Sequence, residues 1–463
     1  MYKLVFCYPS FDKENEGTEM LYSPLALAYM AAHTPDNYEI SLVDEYVGED
    51  LNPHTVEADL IAFSPLSSGI NRAYELAAVL RARGITCVVG GAHATALPEE
   101  AGQHFDAVIQ GEGEIPWKEF LTDFERATIK PIYFGKMNVS LENLGVPDRR
   151  CVHPNYHYPS LMTSRGCPFQ CSFCYLSVYK NRKYRTIPHE TVLADMESVK
   201  DSGLVIITDE NFIGYSAKDY EDRKALLRKM IDRKFKFIWG CQASTNIAEQ
   251  PELMKLMYQA GCRGVFVGFE ANDEEALRSI NKKHNLNVDY KDIVKKIHKQ
   301  KIVVIASTIL GMDNQRSGYH KTLIKELKRI KVDYVRVFYM TAWPGTTLYK
   351  ELAQEGRAPS DWSSLRKDIP TTKFKHYSHP EIIEARKAIM SYFFGKRHFV
   401  KVISIWIFRD TSLLSLFLKL WWRNKSSEKI RNKRAYHSAV TTVGNHQQNS
   451  KPSHKEVEEK VAI

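Results

Sequence analysis

The chain of 463 residues has no uninterrupted apolar run of about 20 residues, the length a helix needs to cross a bilayer. Its most apolar stretch, His398–Trp422, divides into Val400–Phe408 and Leu413–Trp422 around Arg409 and Asp410, and neither block is long enough. A disulfide framework is also missing. Of the 8 cysteines, Cys7, Cys87, Cys151, Cys241 and Cys262 stand alone, and Cys7, Cys87 and Cys241 lie in strand-like runs where a thiol packs as a small hydrophobe. The expected setting is therefore a reducing cytoplasm. Met1-Tyr-Lys runs straight into Leu4–Tyr8 with no small-residue cleavage site, so no signal peptide is expected. No Gly-x-Gly-x-x-Gly opens the first helix, since Pro9-Ser-Phe-Asp follows the first apolar run, and this disfavours a dinucleotide. No repeat of solenoid period is evident.

Apolar residues at 44% and charged residues at 26% are ordinary for a globular chain, and this length allows two or three domains. The net charge of +9 is concentrated towards the C-terminus. The basic run there lacks aromatics on a folded platform, so nucleic acid is not an expected partner. The tail over 423–463 is polar and poor in apolar residues, the composition of a disordered segment.

The first 140 residues alternate apolar runs (Lys3–Tyr8, Glu39–Val43, Leu60–Phe63, Thr86–Val89, Ala107–Ile109) with helical stretches such as Asn71–Arg83 and Glu114–Phe124. This predicts an α/β fold with a parallel, doubly wound sheet, whose ligands bind at the carboxyl ends of the strands. Those ends read Ser64-Pro-Leu-Ser67-Ser68, Gly90-Gly91-Ala-His93 and Gly111-Glu112-Gly113-Glu114. Their glycines allow close backbone approach and their hydroxyls offer hydrogen bonds.

After a connector over 141–160, six further strands are expected at Leu161–Ser164, Leu204–Thr208, Phe235–Gly240, Gly264–Phe269, Val303–Ile309 and Tyr334–Met340. Helices such as Glu190–Ser202 and Tyr319–Ile330 separate them, a pattern that fits a partial barrel over 161–355. A helical region is expected over 356–422.

Chemistry concentrates in Arg165-Gly-Cys167-Pro-Phe-Gln-Cys171-Ser-Phe-Cys174, directly after the first of these strands. Iron–sulfur clusters normally take four cysteines, so three thiolates leave one iron open to an outside ligand. A zinc loop is the alternative, with His153 or His157 as a fourth ligand. The C-x3-C-x2-C spacing resembles the radical-SAM superfamily. That resemblance implies a [4Fe–4S] cluster whose open iron chelates S-adenosylmethionine, with Phe173 near the adenine. It also implies S-adenosylmethionine contacts at Asp209 and Glu210 (in Thr208-Asp-Glu-Asn211, which lacks the usual glycines), Glu270 (in Phe266-Val-Gly-Phe-Glu270) and Gly311 (in Ser307-Thr-Ile-Leu-Gly311). Each of these could equally be a satisfied loop-end group.

Beside that motif, residues 1–125 resemble the cobalamin-binding domain fused to many such enzymes, a Rossmann-like module. The resemblance implies cobalamin contacts at Ser64, Ser67, Ser68, Gly90, Gly91, His93, Gly111, Glu112 and Gly113. The family's Asp-x-His-x-x-Gly becomes Asp44-Glu-Tyr-Val-Gly-Glu49, so no imidazole is offered to the lower face. The implied activity is methyl transfer to an unactivated sp3 carbon of a small molecule or lipid, with flavodoxin or ferredoxin as electron donor. An oxidative cyclase or ring-forming enzyme uses the same cofactors, and a non-catalytic cobalamin sensor is the reading outside enzymes. Apolar Val400–Trp422 followed by a basic cluster suggests peripheral contact with the inner face of a membrane, or else a helix packed on the barrel.

Overall fold

The computed structural model describes residues 1–10, 22–136, 138–179, 183–365 and 369–406. The expected tail over 423–463 and the second apolar block, Leu413–Trp422, lie outside them.

Six short strands build the first sheet: β1 (Tyr2–Tyr8), β2 (Tyr38–Asp44), β3 (Leu60–Phe63), β4 (Thr86–Val89), β5 (Ala107–Gln110) and β6 (Ile132–Phe134). All pair in parallel, in the order β2-β1-β3-β4-β5-β6. The order reverses between β1 and β3, the switch point at which doubly wound sheets open a crevice. Fully buried Leu60, Ile61, Ala62 and Phe63 show why these strands read as continuous apolar runs, because both faces are covered. β6 was not anticipated; it is a three-residue edge strand whose burial alternates exposed, buried, exposed.

The second unit contains β7 (Ser160–Leu161), β8 (Ser164–Arg165), β9 (Arg185–Thr186), β10 (Leu204–Ile207), β11 (Ile238–Ala243), β12 (Cys262–Glu270), β13 (Val303–Leu310) and β14 (Tyr334–Tyr339). Six of them form a parallel sheet in the order β14-β13-β12-β11-β10-β7. The expected first strand is broken in two. Ser160–Leu161 joins the sheet, whereas Ser164–Arg165 turns away and pairs antiparallel with β9.

Helix Ala26–Ala32 joins the two cores. Leu25 and Tyr29 pack into the barrel core, while Leu27, Ala28 and Ala31 pack into the first domain. Two apolar faces on one helix are what a buried element between layers requires. The connector is built in as well. Arg149 donates to both Asp195 carboxylate oxygens, and Leu141 and Leu144 are buried in the barrel core.

Helix Lys396–Trp406 docks at the amino ends of β13 and β14. Phe399, Val402 and Trp406 pack on Val303 and Tyr334, and Trp406 Nε1 donates to Asp333 Oδ1 at 2.7 Å. The described part of the apolar C-terminal region is therefore a helix packed on the barrel, at the end away from the cysteine loop. Val400 and Ile405 remain exposed. Among the described residues no helix is long and apolar enough to cross a membrane.

Candidate active site

The carboxyl ends of the two sheets face one cavity of about 350 Å³. From the first domain come Ser64, Gly90, Gly91, Gly111, Glu112, Gly113 and Glu114, and from the barrel Met162, Arg165, Gly166, Thr208 and Glu210. Leu25, Tyr29, Met30, Trp117, Tyr175, Leu176 and Tyr179 complete a mainly apolar wall.

Two ion pairs close the wall between the domains, and both went unforeseen. Arg165 pairs with Glu114, and Arg185 holds Glu112 through both guanidinium ends, Nη1 to Oε2 at 2.9 Å. All four groups are mostly buried, where such pairs need good geometry to be stable. Glu112, expected as a cobalamin contact, thus has its carboxylate committed to Arg185.

Gly91 has φ +96°, a left-handed conformation that only glycine adopts without strain. With Gly90, Gly111 and Gly113 it leaves bare backbone along the cavity, as a large flat ligand lying close to the strand ends requires. Here the residues fit cobalamin. Ser67, Ser68 and His93 do not line the cavity. The Ser67–Gly69 turn packs beneath the Trp362–Ser364 turn, a segment crossing from the barrel. The buried His93 ring meets Trp362 edge-on at 5.4 Å, with Nε2 3.6 Å from Glu100 Oε1. Burial, only partly offset by Glu100, holds that imidazole below its ordinary pKa. A segment distant in sequence covers the side on which these three residues stand.

Tyr46, in the place of an axial histidine, is also absent from the cavity wall. Asp44 beside it accepts from Tyr156 Oη at 2.7 Å and from the Tyr46 amide at 3.0 Å. Burial nevertheless raises its carboxyl from 3.8 to about 6. The folded chain thus binds this proton more tightly than the unfolded chain. The stabilisation is complete below about pH 4 and is lost as pH rises through about 6. Asp44→Asn should flatten that part of the profile of melting temperature against pH, removing a dependence of about 3 kcal/mol.

The cysteine loop is clamped from outside. Ser172 N donates to Ile280 O at 3.0 Å, Asn281 Nδ2 to Gln170 O at 2.6 Å, and Leu348 N to Ser172 O at 3.1 Å. Cys171 is buried, whereas Cys167 and Cys174 are half-buried. Among the described residues, no three His, Cys, Asp or Glu side chains converge tightly enough to hold one metal ion. Three thiolates in one short loop suit a [4Fe–4S] cluster with one iron left open. His153 does not approach the thiols; it lies 3.4 Å from Glu49 Oε1.

The residues expected to meet S-adenosylmethionine divide. Glu210 lines the cavity, accepts from Gly166 N at 3.1 Å, and has its carboxyl raised by burial. Asp209 faces inward. Its carboxylate accepts from Thr163 N at 2.7 Å, from Thr163 Oγ1 and from Ser164 Oγ, beside the buried Arg223. Glu270 stands at φ +64° after a register shift in β12, and it is held by Lys282 Nζ at 2.8 Å and Ser307 Oγ at 2.9 Å. Phe173 packs among the apolar residues at the ends of β13 and β14, with Ile309 and Met340. Gly311, at φ +96°, lies under Phe374, whose ring would be 2.4 Å from an added Cβ. Sequence reasoning missed Lys282, Arg165 and Arg185.

Comparisons with known proteins agree with this arrangement. The B12 binding domain model matches residues 18–121, and the radical SAM superfamily model matches residues 161–327. The chain is 29% identical over 395 residues to an uncharacterised methyltransferase of Synechocystis sp., covering 81% of this chain and 72% of that one. It is 26% identical over 350 residues to the bacteriochlorophyllide d C-12(1)-methyltransferase of Chlorobaculum tepidum, covering 73% and 75%. It is also 24% identical over 429 residues to an anaerobic magnesium-protoporphyrin IX monomethyl ester cyclase of Cereibacter sphaeroides, covering 82% and 68%. In fold it is similar to the radical S-adenosylmethionine methyltransferase TsrM of Kitasatospora setae, with a TM-score of 0.60, 17% identity and 78% of each chain covered.

Proposed function

The chain belongs to the radical SAM enzymes that carry a cobalamin-binding domain, and on that premise we propose that it is a C-methyltransferase acting on an unactivated sp3 carbon of a small molecule or lipid. The observation that supports this most directly is the shared cavity, where Gly90, Gly91, Gly111 and Gly113 of one sheet face Met162, Thr208 and Glu210 of the other. A substrate there lies between the two cofactor sites. When bound, the cluster and S-adenosylmethionine supply the hydrogen-abstracting radical and cobalamin supplies the methyl group.

The protein's own part is placement and exclusion of water. Cys167, Cys171 and Cys174 would hold the cluster, and Glu210 would face the S-adenosylmethionine amino group. The Arg165–Glu114 and Arg185–Glu112 pairs fix the spacing of the walls. The apolar lining around Leu25, Tyr29, Met30 and Leu176 keeps water from a reactive carbon and favours a largely apolar substrate. A flavodoxin or ferredoxin would deliver the electron. Any contact with a membrane would involve the helix Lys396–Trp406 and the chain after it, at the end remote from the cavity.

The cyclase relative favours a second reading, oxidative ring formation with the same cofactors. The test is anaerobic turnover of the reconstituted enzyme with S-adenosylmethionine, cobalamin and a panel of tetrapyrroles and triterpenoid lipids. S-adenosylhomocysteine formed alongside 5′-deoxyadenosine, with a substrate heavier by one methyl group, supports the methyltransferase. 5′-Deoxyadenosine without S-adenosylhomocysteine supports the cyclase. Iron-free protein with tightly bound zinc would sink both.

A further inference from the structure

We propose that Arg165 and Arg185 form a joint that couples the two cofactor sites, so that a loaded cluster tightens the binding of cobalamin and bound cobalamin steadies the cluster loop. This rests on the reading of the cysteine loop as the cluster site and of the glycine-rich strand ends as the cobalamin site. The two arginines and their carboxylates act through the backbone, as positioning residues.

Topology carries the assignment. The cysteine loop is the loop of a small hairpin: β8 leads into it, β9 leads out, and they pair antiparallel with Arg165 opposite Arg185. Residues directly opposed in such a pair project from the same face. Both arginines therefore leave the base of the hairpin on one side, and both grip the same loop of the first domain. Arg185 donates to Glu112 through Nη1 at 2.9 Å, and Arg165 donates to Glu114. These glutamates alternate with Gly111 and Gly113 along the cavity wall. The hairpin cannot shift along that loop without breaking both pairs.

Neither side of the joint has slack. Gly166 separates Arg165 from Cys167 at φ +89°, and a Cβ there would stand 2.2 Å from Lys183 O. Its amide donates to Glu210 at 3.1 Å, so Gly166 links the joint, the first cysteine and the carboxylate of the cavity. On the facing side, a Cβ at Gly135 would stand 2.0 Å from Glu112 O, and Gly111 N donates to Thr95 Oγ1 at 3.0 Å. Arg185 also donates to Val139 O at 2.7 Å, in the crossing between the domains.

Coupling follows from the ordering that each ligand requires. A hairpin of two residue pairs is too short to hold its own shape. Glycine loses more conformational freedom on ordering than any other residue. The hairpin is ordered when its three thiolates take the cluster, and the Gly111–Gly113 loop when a corrin lies against it. Through two mostly buried ion pairs, the order imposed by the first ligand is already in place for the second, which then binds more tightly. The effect is reciprocal.

The full-length protein, with and without reconstitution by iron and sulfide, is dialysed anaerobically in the dark against methylcobalamin. The cluster-loaded parent should bind it about tenfold more tightly than the iron-free parent, an ordinary size for coupling between two sites. A single remaining pair is a pivot, so R185M and E112Q should each bring that ratio close to one. R185M/E112Q should do no more than either alone, because both remove the same bond. The ratio cancels any change in direct contact with cobalamin, which weakens both forms alike, so a merely structural bond would leave it untouched. A ratio of one in the parent, or a ratio preserved in both single variants, overturns the proposal. If R185M does not fold, the isosteric E112Q decides by the same ratio. Parent protein that takes up neither iron and sulfide nor methylcobalamin would instead overturn the cofactor sites on which the coupling rests.

Discussion

Cys171→Ala is expected to abolish cluster assembly and, with it, all formation of 5′-deoxyadenosine from S-adenosylmethionine. Two thiolates cannot replace three around a cube of iron and sulfide that already lacks its fourth cysteine. Cys171 is the buried member of the set, and its carbonyl accepts from the Cys174 amide at 3.2 Å. The flanking clamps at Gln170 and Ser172 do not involve the thiol, so the loop should keep its shape while losing its ligand. Iron and sulfide content should fall from about four per chain to near zero. Cys7→Ala is the control. Cys7 is equally buried but lies in β1, and its loss should cost only packing, leaving cluster content intact. Retention of a full cluster in Cys171→Ala would refute the assignment of the loop.

Asp209→Ala should lower stability by about 3–5 kcal/mol, the range for breaking a buried charged network from one side. Asp209 is wholly buried and accepts from Thr163 twice and from Ser164 once. Arg223, also wholly buried and donating to Thr163 Oγ1 at 2.7 Å, would be left with Asp222 alone as its carboxylate. Thermal denaturation of the apo protein measures the loss directly, and Asp209→Asn should be milder because an amide oxygen can still accept. Glu210→Gln makes the comparison informative, since the adjacent residue faces the cavity and should leave melting nearly unchanged. Equal destabilisation by both substitutions would contradict the inward orientation of Asp209.

Adjacent Asp209 and Glu210 show what the sequence reveals and what it hides. Strand periodicity and apolar runs placed Leu60–Phe63 and Thr86–Val89 at their observed limits, because a strand covered on both faces leaves an unbroken apolar signature. β11 lies farther along the chain than the apolar run Phe235–Gly240 suggested, at Ile238–Ala243. Phe235 and Phe237 stack on each other before the strand begins, so their apolarity marks the core and not the ladder. In the same way, a polar residue after a strand carries no mark of whether it turns towards a cavity or into the fold. Asp209 turns inward because Arg223, on a later helix, is buried beneath it. The surroundings of Ser67, Ser68 and His93 are hidden for a related reason: the Trp362 segment that covers their side comes from far along the chain. Lys282, Arg165 and Arg185 carry no mark in the sequence because charged residues are common all along the chain, and only the fold shows which of them are buried against a partner.

Asp333 fastens the helix Lys396–Trp406 beneath the barrel through the Trp406 indole and the His398 ring. The chain therefore leaves the described structure at the pole opposite to the one where reagents must enter. A fusion joined just after Trp406, or a sensor chip coupled through it, would present the reaction end to the solution. Small molecules and a reductant could then be delivered to an immobilised enzyme without passing its support.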